Sequence, residues 1–467
     1  MFRKTTDRAT TIFLLLLLAA AAHADDCLTG DSLADQRALA ALRATTETAC
    51  PCASFDGTPG ARRGDYRRCA KDALDDALTA GALRAECRRT AQLVLKGARC
   101  GSDRVACGRV LATPSDAPLS CRVKKAPGCH DRSAFAETAC TAETHCADVL
   151  EWTAATCLDP RHDGPYGVGV RTIQYVKNSV VAPGTLRTLD TVIWYPTAPG
   201  AGPIDPALAG VIDAPLHAAA APYPLLMFSH GSCAFPAQST FLTALLASHG
   251  YVVAAPPHPG NTIFDGAACG TLMALVQSAV ERPADIAFVL DQVLAANGTP
   301  SSPLYGAVDP ARIGMAGHSF GGHTTFNVAS TDARFKVAVP MAAVVPLTNG
   351  QPPVLPVPSL IMLGQIDSVL TTWAITDLDD LRAAHAAALP PKYLVEIPHT
   401  GHYAFSNGCL PNAADCAPPA TLTQDEAHAV VRRWVLPFLE RHLRGDAGAA
   451  AFFAAPTPPG VLLVQDP

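Results

Sequence analysis

The sequence predicts an α/β protein with a mostly parallel sheet and helices on both faces, preceded by a small disulfide-rich helical domain. From about residue 164, short apolar runs alternate with helical periodicity, which is typical of such a sheet. Twelve of the 16 cysteines lie between Cys27 and Cys157. The length of 467 residues also exceeds what one hydrophobic core usually serves. We therefore expect a cysteine-rich domain at 25–158 and a second domain at 159–467.

The composition narrows the class of protein. Hydrophobic residues make up 49% of the chain and charged residues only 16%, which argues against extensive disorder. The formal net charge is -6, and no cluster of Lys and Arg is long enough to suggest a nucleic-acid or anionic membrane surface as a partner. We therefore expect no nucleic-acid partner.

The first 24 residues have the pattern of a secretory signal peptide. Arg3, Lys4 and Arg8 precede a short apolar run at 12–22, and small residues follow up to Ala24. The run is shorter than the roughly 20 apolar residues that a spanning helix needs, and no other stretch is long enough. We expect cleavage near Ala24, a mature protein in the periplasm or outside the cell, and disulfides formed in that oxidising compartment.

The region 25–158 shows helical periodicity. Apolar and cysteine side chains recur every three or four positions, as at Tyr66, Cys69, Ala73 and Ala77, and a further helix is predicted over 133–157. We expect a small helical bundle held by up to six disulfides. The paired C-x-x-C units that zinc sites usually contain are missing from the sequence, so neither a metal nor a cofactor is expected. The sequence does not identify a partner for this domain.

The second domain is predicted to be an ordered series of strands and helices. The runs predicted as strands are 191–194, 225–228, 251–255, 312–315, 337–339, 359–363 and 393–397. Helical periodicity predicts helices over 238–248, 272–296 and 425–443, and one more follows Gly322.

A G-x-S-x-G motif at 317–321 lies between a predicted strand and a predicted helix. A tight turn there brings backbone segments so close that only small residues fit at Gly317 and Gly321, and it lifts Ser319 above the sheet. Gly322 again permits close packing behind the turn. This arrangement predicts the α/β-hydrolase fold with Ser319 as the nucleophile.

A serine hydroxyl is a weak nucleophile near neutral pH, so it needs a base and an acid that orients the base. In this fold the acid and then the histidine follow the serine along the chain. Asp367 comes just after the predicted strand 359–363 and is the preferred acid. Asp377, Asp379 and Asp380 are alternatives, but they cluster at a predicted helix start, where acidic residues suit the helix dipole.

The base should lie in the loop that follows the last predicted strand, 393–397. Two histidines, His399 and His402, occur there. His402 follows Gly401 and lies deeper in the loop, so it is the preferred base.

The developing oxyanion needs preorganised donors, usually the backbone N–H after the nucleophile and another from the loop after an early strand. Phe320 supplies the first N–H group. Ser232, in the loop after the predicted strand 225–228, supplies the second. The Ser232 hydroxyl is a further possible donor, and an ordinary loop serine is the alternative.

Several separated motifs resemble one family. Residues 228–231 (FSHG), 256–262 (PPHPGNT), 281–286 (ERPADI) and 317–322 (GHSFGG) are similar to the bacterial dienelactone-hydrolase-like branch related to platelet-activating-factor acetylhydrolases. Residues 164–169 (GPYGVG) and 194–196 (WYP) resemble the opening strands of that group, which includes cutinase-like polyester hydrolases. The resemblance covers about 160–445 and implies a calcium-independent serine esterase with Ser319, Asp367 and His402 as its triad. Dienelactone hydrolases themselves use cysteine, so the serine argues against that reaction.

The expected activity is hydrolysis of a carboxylic ester through an acyl-enzyme, by a secreted protein without a cofactor. Phe235, Trp373 and Tyr403 are candidate contacts for an acyl or aromatic group, and ordinary packing is their alternative role. A polyester or lipid-directed hydrolase is the alternative enzyme, and a catalytically silent binding protein is the alternative class. We also expect two disulfides in this domain, Cys409–Cys416 and Cys233–Cys269.

Overall fold

The computed structural model describes residues 27–28, 33–100, 104–111, 120–130, 135–140, 146, 163–373, 376–409, 421–446, 449, 452–453 and 461–466. They form two compact units, which divide near residue 150. The predicted signal peptide at 1–24 and the predicted boundary at 158 lie outside the described residues.

The first unit begins with helices α1 (Leu33–Ala49), α2 (Arg63–Thr79) and α3 (Arg88–Lys96). Their inner faces meet in one small core around Leu42, Tyr66 and Ala91. Five disulfides join described residues of this unit: Cys27–Cys87, Cys50–Cys69, Cys52–Cys100, Cys107–Cys129 and Cys121–Cys146. The prediction of a disulfide-rich helical region is therefore confirmed.

A small antiparallel sheet follows these helices. Its strands are β1 (Arg104–Leu111), β2 (Ser120–Lys125) and β3 (Phe135–Cys140), in the order β2-β1-β3. The helix predicted from residue 133 is therefore wrong over β3. This segment pairs with β1 along its whole length, from Ala106 opposite Cys140 to Leu111 opposite Phe135. Such pairing overrides the helical preference of its alanines, because intrinsic propensity is a weak prior against tertiary contacts.

The second unit is built on one large mixed sheet. In chain order its strands are β4 (Gly167–Asn178), β5 (Leu186–Thr197), β6 (Val211–Ile212), β7 (Tyr223–Ser229), β8 (Val252–Ala255), β9 (Val308–His318), β10 (Phe335–Met341), β11 (Ser359–Gly364), β12 (Lys392–Ile397) and β13 (Leu462–Asp466). Among the described residues their order across the sheet is β13-β12-β11-β10-β9-β7-β8-β5-β4-β6. The six neighbouring strands β12, β11, β10, β9, β7 and β8 pair in parallel. Three pairs are antiparallel: β4 with β5, β5 with β8, and β12 with β13.

Helices cover both faces of this sheet. They are α4 (Thr240–Ser248), α5 (Leu272–Asn297), α6 (Phe320–Thr331), α7 (Ser368–Trp373), α8 (Leu378–Ala387) and α9 (Gln424–His442). One core cluster packs α5 against β5, β7, β8 and β9, and a second packs α6 and α8 against β10 and β11. No single described helix is long and apolar enough to span a membrane. The segment Ile263–Gly270 together with α5 has the length and composition of a membrane span, but the two are bent by 117° where they meet.

All seven predicted strands and all four predicted helices of this unit overlap observed elements. The parallel strands are buried on both faces, so each reads as a continuous apolar run, as β7 and β11 do. Three strands are absent from that predicted series: β4, β6 and β13. β6 is short, and β4 and β13 are partly or largely exposed, so none of them has such a run. The start of β4 lies in the segment 164–169 that resembled an opening strand of the family.

Candidate active site

The turn between β9 and α6 holds Ser319 in a conformation that is rare for any residue other than glycine. Its backbone has φ 56° and ψ -118°. Three backbone hydrogen bonds hold it, because Ser319 N donates to Met341 O, and Ser319 O accepts from His323 N and Val344 N. A serine kept in such a strained conformation indicates a functional site.

The glycines around this serine are sterically required. A Cβ on Gly317 would lie 2.2 Å from the carbonyl oxygen of Gly321, and a Cβ on Gly321 would lie 1.8 Å from that of Ser229. A Cβ on Gly322 would lie 2.4 Å from the Cβ of Ala343. These approaches explain the spacing of the motif and bring the end of β7 against the turn.

The preferred acid and base are in contact. Asp367 follows β11, His402 follows β12, and their Oδ2 and Nδ1 atoms are 2.8 Å apart. Both side chains are buried. The second carboxylate oxygen, Oδ1, accepts from Leu370 N at 2.9 Å at the start of α7. This arrangement fixes the plane of the carboxylate and the orientation of the imidazole.

The three rejected aspartates have the structural role that their position suggested. Asp377 caps α8 by accepting from the backbone N–H groups of Asp379 and Asp380, and Asp379 forms an exposed ion pair with Arg382. They belong to the surface of α8.

A chain of hydrogen bonds connects the serine turn to the base loop. His318 Nε2 donates to His402 O at 3.0 Å, and His318 Nδ1 accepts from Gln238 Nε2 at 2.8 Å. Gln238 Oε1 accepts from Gly231 N at 2.7 Å. Burial, and then the neighbouring His402, lower the pKa of His318 well below its usual value, so this ring is neutral at pH 7. Gln238 and His318 therefore join three loops: the one after β7, the serine turn and the one after β12.

The predicted oxyanion donors lie beside Ser319. A Cβ built on Gly231 would be 3.5 Å from the Ser319 Cβ, so the loop after β7 passes directly alongside the serine. Within the part of the chain that the structure describes, the backbone N–H groups of Ser232 and Phe320 make no hydrogen bond. The Ser232 hydroxyl accepts from Asn261 Nδ2 at 2.9 Å.

A buried polar network that sequence analysis missed supports this loop. Arg282, from α5, is fully buried and donates to the carbonyl oxygens of His230 and Gly231 and to Asn261 Oδ1. His258 Nε2 bonds Ser229 Oγ at 2.9 Å at the end of β7. The available signal was the pair of motifs PPHPGNT and ERPADI, which resembled a family but carried no assigned role.

Asp285, one turn after Arg282 on α5, connects this polar network to β4 and β5. It bonds His258 Nδ1 at 3.0 Å and Arg187 Nη2 at 2.7 Å, and Lys177 lies 3.1 Å away. Burial, together with the charge of Arg282, lowers the pKa of His258 to about 4. His258 is therefore neutral at pH 7, with its Nδ1 proton directed to Asp285 and its Nε2 accepting from Ser229.

The predicted substrate contacts differ in how they are placed. Tyr403 is half-buried, and its ring packs edge-on against that of His402, with centroids 5.5 Å apart. Phe235 is partly exposed, three residues beyond Ser232 in the same loop. Trp373 ends α7, and its side chain lies outside the described set. All three assignments stay predictions.

One of the two disulfides expected here is confirmed. Cys233–Cys269 joins the loop after Ser232 to the segment Ile263–Gly270. Cys409 is also disulfide-bonded, but the expected partner Cys416 lies outside the described residues.

Two groups of potential metal ligands occur among the described residues, both in the first unit. Cys27 and Cys87 lie near Asp35, and Cys107 and Cys129 lie near Glu137. In each group the two cysteines are joined to each other as a disulfide, so they offer no thiolate ligand.

Comparison with known proteins agrees with the family resemblance of the sequence motifs. A family model described as PETase, PET hydrolase-like, matches residues 208–410. Platelet-activating factor acetylhydrolase from Bos taurus is 29% identical over 160 residues, in an alignment that covers 26% of this chain and 35% of that protein. The chain thus spans about a third of the length of this curated relative.

A solved structure, a ferulic acid esterase from Streptomyces cinnamoneus, shares 26% sequence identity and has a TM-score of 0.48, covering 60% of this chain and 91% of that one. The matched residues 208–410 include the serine turn, Asp367 and His402. In sequence, the second unit is thus similar to the PET hydrolase-like family and to platelet-activating factor acetylhydrolase.

Proposed function

We propose that this chain is a serine carboxylic-ester hydrolase that works through an acyl-enzyme. The observation that carries the proposal is the serine turn: Ser319 has a positive φ, and the nearby backbone N–H groups of Ser232 and Phe320 have no hydrogen-bond partner among the described residues. The contact between Asp367 and His402, whose loop is tied to the same turn, supports it. The names of its relatives, a PET hydrolase-like family and an acetylhydrolase, agree with an ester substrate.

In the proposed mechanism, Ser319 Oγ attacks the ester carbonyl carbon while His402 Nε2 takes its proton. Asp367 stabilises the resulting imidazolium, and the N–H groups of Ser232 and Phe320 donate to the oxyanion. Collapse of the tetrahedral intermediate releases the alcohol, which takes the proton from His402. Water, deprotonated by His402, then attacks the acyl-enzyme, and the carboxylic acid leaves as Ser319 regains its proton.

Labelling with a fluorescent phosphonate tests this proposal, since such a probe forms a bond with an activated serine. We expect the mature chain to be labelled at Ser319 and to hydrolyse p-nitrophenyl acetate and butyrate, and we expect Ser319→Ala to lose both properties. A wild-type chain that is folded but neither labelled nor active would contradict the proposal and favour a silent binding protein.

An exposed apolar surface favours a second candidate, hydrolysis of insoluble lipid or polyester substrates. Phe264 is 83% exposed, Leu272 73% and Met273 66%, and they lie on both sides of Cys269, which is bonded to the loop after Ser232. Several exposed apolar side chains on one short segment favour an interaction surface over ordinary surface. The disulfide joins this segment to the loop that carries Ser232.

The two substrate classes can be separated with matched variants. Phe264→Ser with Met273→Ser should lower the rate on emulsified or polymeric ester while the rate on p-nitrophenyl acetate stays unchanged. Ile204→Ser is the control, because Ile204 is 69% exposed and lies near β6, at the edge of the sheet. Equal behaviour of the double variant and the control on emulsified ester would remove the second candidate.

We also propose that the chain is exported, with cleavage near Ala24, and that the mature protein comprises domains at 25–158 and 159–467. The described disulfides support an oxidising compartment. N-terminal sequencing of the secreted protein and limited proteolysis around residue 158 test both statements. A mature chain that still begins at Met1 would contradict the first, and cleavage confined to other segments would contradict the second.

A further inference from the structure

The peptide group between Gly231 and Ser232 has two strong donors at its carbonyl end. Gly231 O accepts from His230 Nδ1 at 2.7 Å and from Arg282 Nη2 at 3.1 Å. A peptide group is planar and trans, so the Ser232 N–H points away from these donors. We propose that Arg282 is a positioning residue that polarises this peptide group and thereby strengthens Ser232 N–H as an oxyanion donor; this inference rests on the proposed function.

The tautomer of His230 supports this arrangement. Its Nε2 accepts from His258 N at 3.2 Å, so the ring proton is on Nδ1 and is donated to Gly231 O. Burial, and then the charge of Arg282, lower the pKa of His230 well below its usual value. The ring therefore stays neutral at pH 7, and Arg282 supplies the only charge at this carbonyl among the described side chains.

The guanidinium of Arg282 is held rigidly. It is fully buried, bonds His230 O and Asn261 Oδ1 as well as Gly231 O, and lies 5.0 Å above the ring of Phe320. Phe320 carries the other proposed oxyanion donor on its backbone. Burial lowers the pKa of Arg282 to about 9, which leaves it charged at pH 7. One fixed positive charge therefore lies at the carbonyl of the peptide group that carries the Ser232 N–H, and over the side chain of the residue that carries the other donor.

Such a charge acts more strongly here than it would in water. The buried surroundings screen it weakly, and hydrogen bonds that share a peptide group reinforce each other. The substrate carbonyl carries little charge before the reaction, whereas the tetrahedral intermediate carries a full negative charge. The polarised donor should therefore lower the barrier to reaction and barely change substrate binding.

The test compares Arg282→Met with Arg187→Met in the full mature chain. Both arginines lie near Asp285, Arg282 fully buried and Arg187 partly buried, but Arg187 donates to Asp285 and Pro259 O instead of to Gly231 O. Each variant is assayed with an ester and with the matching thionoester, whose sulfur is a weak hydrogen-bond acceptor. Active sites are counted by phosphonate titration, so that loss of folded protein does not affect kcat.

We expect Arg282→Met to lower kcat on the ester by about 10- to 100-fold, somewhat less than outright removal of an oxyanion donor, with KM changed less than about twofold. The ratio of ester to thionoester kcat/KM should fall by about tenfold, and Arg187→Met should leave that ratio unchanged. If Arg282→Met does not fold, Arg282→Gln removes the same charge and is assayed in its place.

An unchanged ratio in the Arg282 variant, or an equal fall in the Arg187 variant, would overturn the inference while leaving the esterase proposal intact. A wild-type chain that the phosphonate does not label would instead refute the esterase proposal and this inference with it.

Discussion

The contact between Asp367 and His402 determines which imidazole nitrogen can act on the serine. With the carboxylate at Nδ1, the proton of the neutral ring stays on that side and Nε2 keeps its lone pair. The order of residues along the chain predicted both of them as the acid and the base. The structure brings the two side chains into contact although 35 positions separate them. At this scale, a motif and the chain order typical of the fold were enough to select the two residues that the structure brings into contact.

Replacing the acid by its amide tests the role of this pair. In Asp367→Asn, the amide N–H would face Nδ1, which favours the tautomer with its proton on Nε2 and removes the base. We expect kcat on p-nitrophenyl acetate to fall by about 10⁴-fold with little change in KM, as expected for a triad acid. Steady-state kinetics on the purified variant measure both values.

Asp377→Asn is the matched control for that substitution. Asp377 caps α8, and asparagine is an equally good cap, so stability and kcat should both stay close to those of the wild type. A loss of less than about tenfold in Asp367→Asn, or an equal loss in the control, would mean that Asp367 is not the acid.

At the scale of elements, three loops form the candidate site, and they come from separate parts of the chain. Gln238, just before α4, bonds Gly231 in one loop and His318 in the second, and His318 bonds the main chain of His402 in the third. Because each member both donates and accepts, the positions of the three loops are coupled.

The Gln238 side chain bridges Gly231 and His318, and removing this bridge should lower both stability and activity. Gln238→Ala leaves Gly231 N and His318 Nδ1 buried without partners, at a cost of about 2–4 kcal/mol in the free energy of unfolding. We expect kcat/KM to fall by about 10- to 100-fold, since small misplacements of reacting groups have effects of that size. Urea denaturation and ester kinetics measure the two quantities.

Gln174→Ala serves as the control for Gln238→Ala. Gln174 is exposed on β4 and bonds only Asp190 among the described residues, so neither quantity should change noticeably. A Gln238 variant that loses stability but keeps kcat/KM within twofold of the wild type would show that the bridge supports the fold alone.

The bridge also marks the limit of what the sequence could predict. Periodicity and apolar runs locate β7, α4 and β12, and the serine motif identifies the turn, because each signal is local. Gln238, His258 and Arg282 act through contacts with residues 7 to 80 positions away, and a single sequence has no signal for such pairs. The motifs that contain His258 and Arg282 were visible, but their chemistry depended on packing.

At the scale of the whole molecule, the two units differ in how well their sequences predicted them. In the second unit, buried parallel strands impose uniform apolar runs that are hard to misread. In the first unit, strands such as β3 combine alanine, glutamate and cysteine, and register depends on partners and disulfides rather than on a hydrophobic pattern. The helices α1 to α3 were predictable because one face of each must bury its apolar residues.

Buried neutral histidines should control stability in mild acid. Burial is the main cause that lowers the pKa of seven histidines among the described residues, to about 4 in four of them; they are His230, His258, His318, His323, His385, His428 and His442. Between about pH 4 and 6.5 the unfolded chain therefore binds protons that the folded chain does not. Since stability rises with pH where the unfolded state holds more protons, the free energy of unfolding should fall steadily from pH 6.5 to 4.

Urea denaturation at several pH values, followed by tryptophan fluorescence, measures this dependence. Each such histidine contributes up to about 1.4 kcal/mol per pH unit to the slope of the free energy of unfolding, which corresponds to one bound proton. His442→Gln should therefore reduce the total slope by up to about that amount. His442 lies at the end of α9 and contacts Tyr393, away from the residues of the candidate site. A free energy of unfolding that stays constant over this range would contradict the expectation.

The position of α5 separates two kinds of change during evolution. Its residues Arg282 and Asp285 face inward beneath the loop after β7, whereas Phe235 and Tyr403 lie on loops. On the proposed function, a change at either loop side chain should alter which ester is preferred, while the buried charges carried by the helix stay in place. Substrate preference and the support of the oxyanion loop would then depend on different parts of the chain.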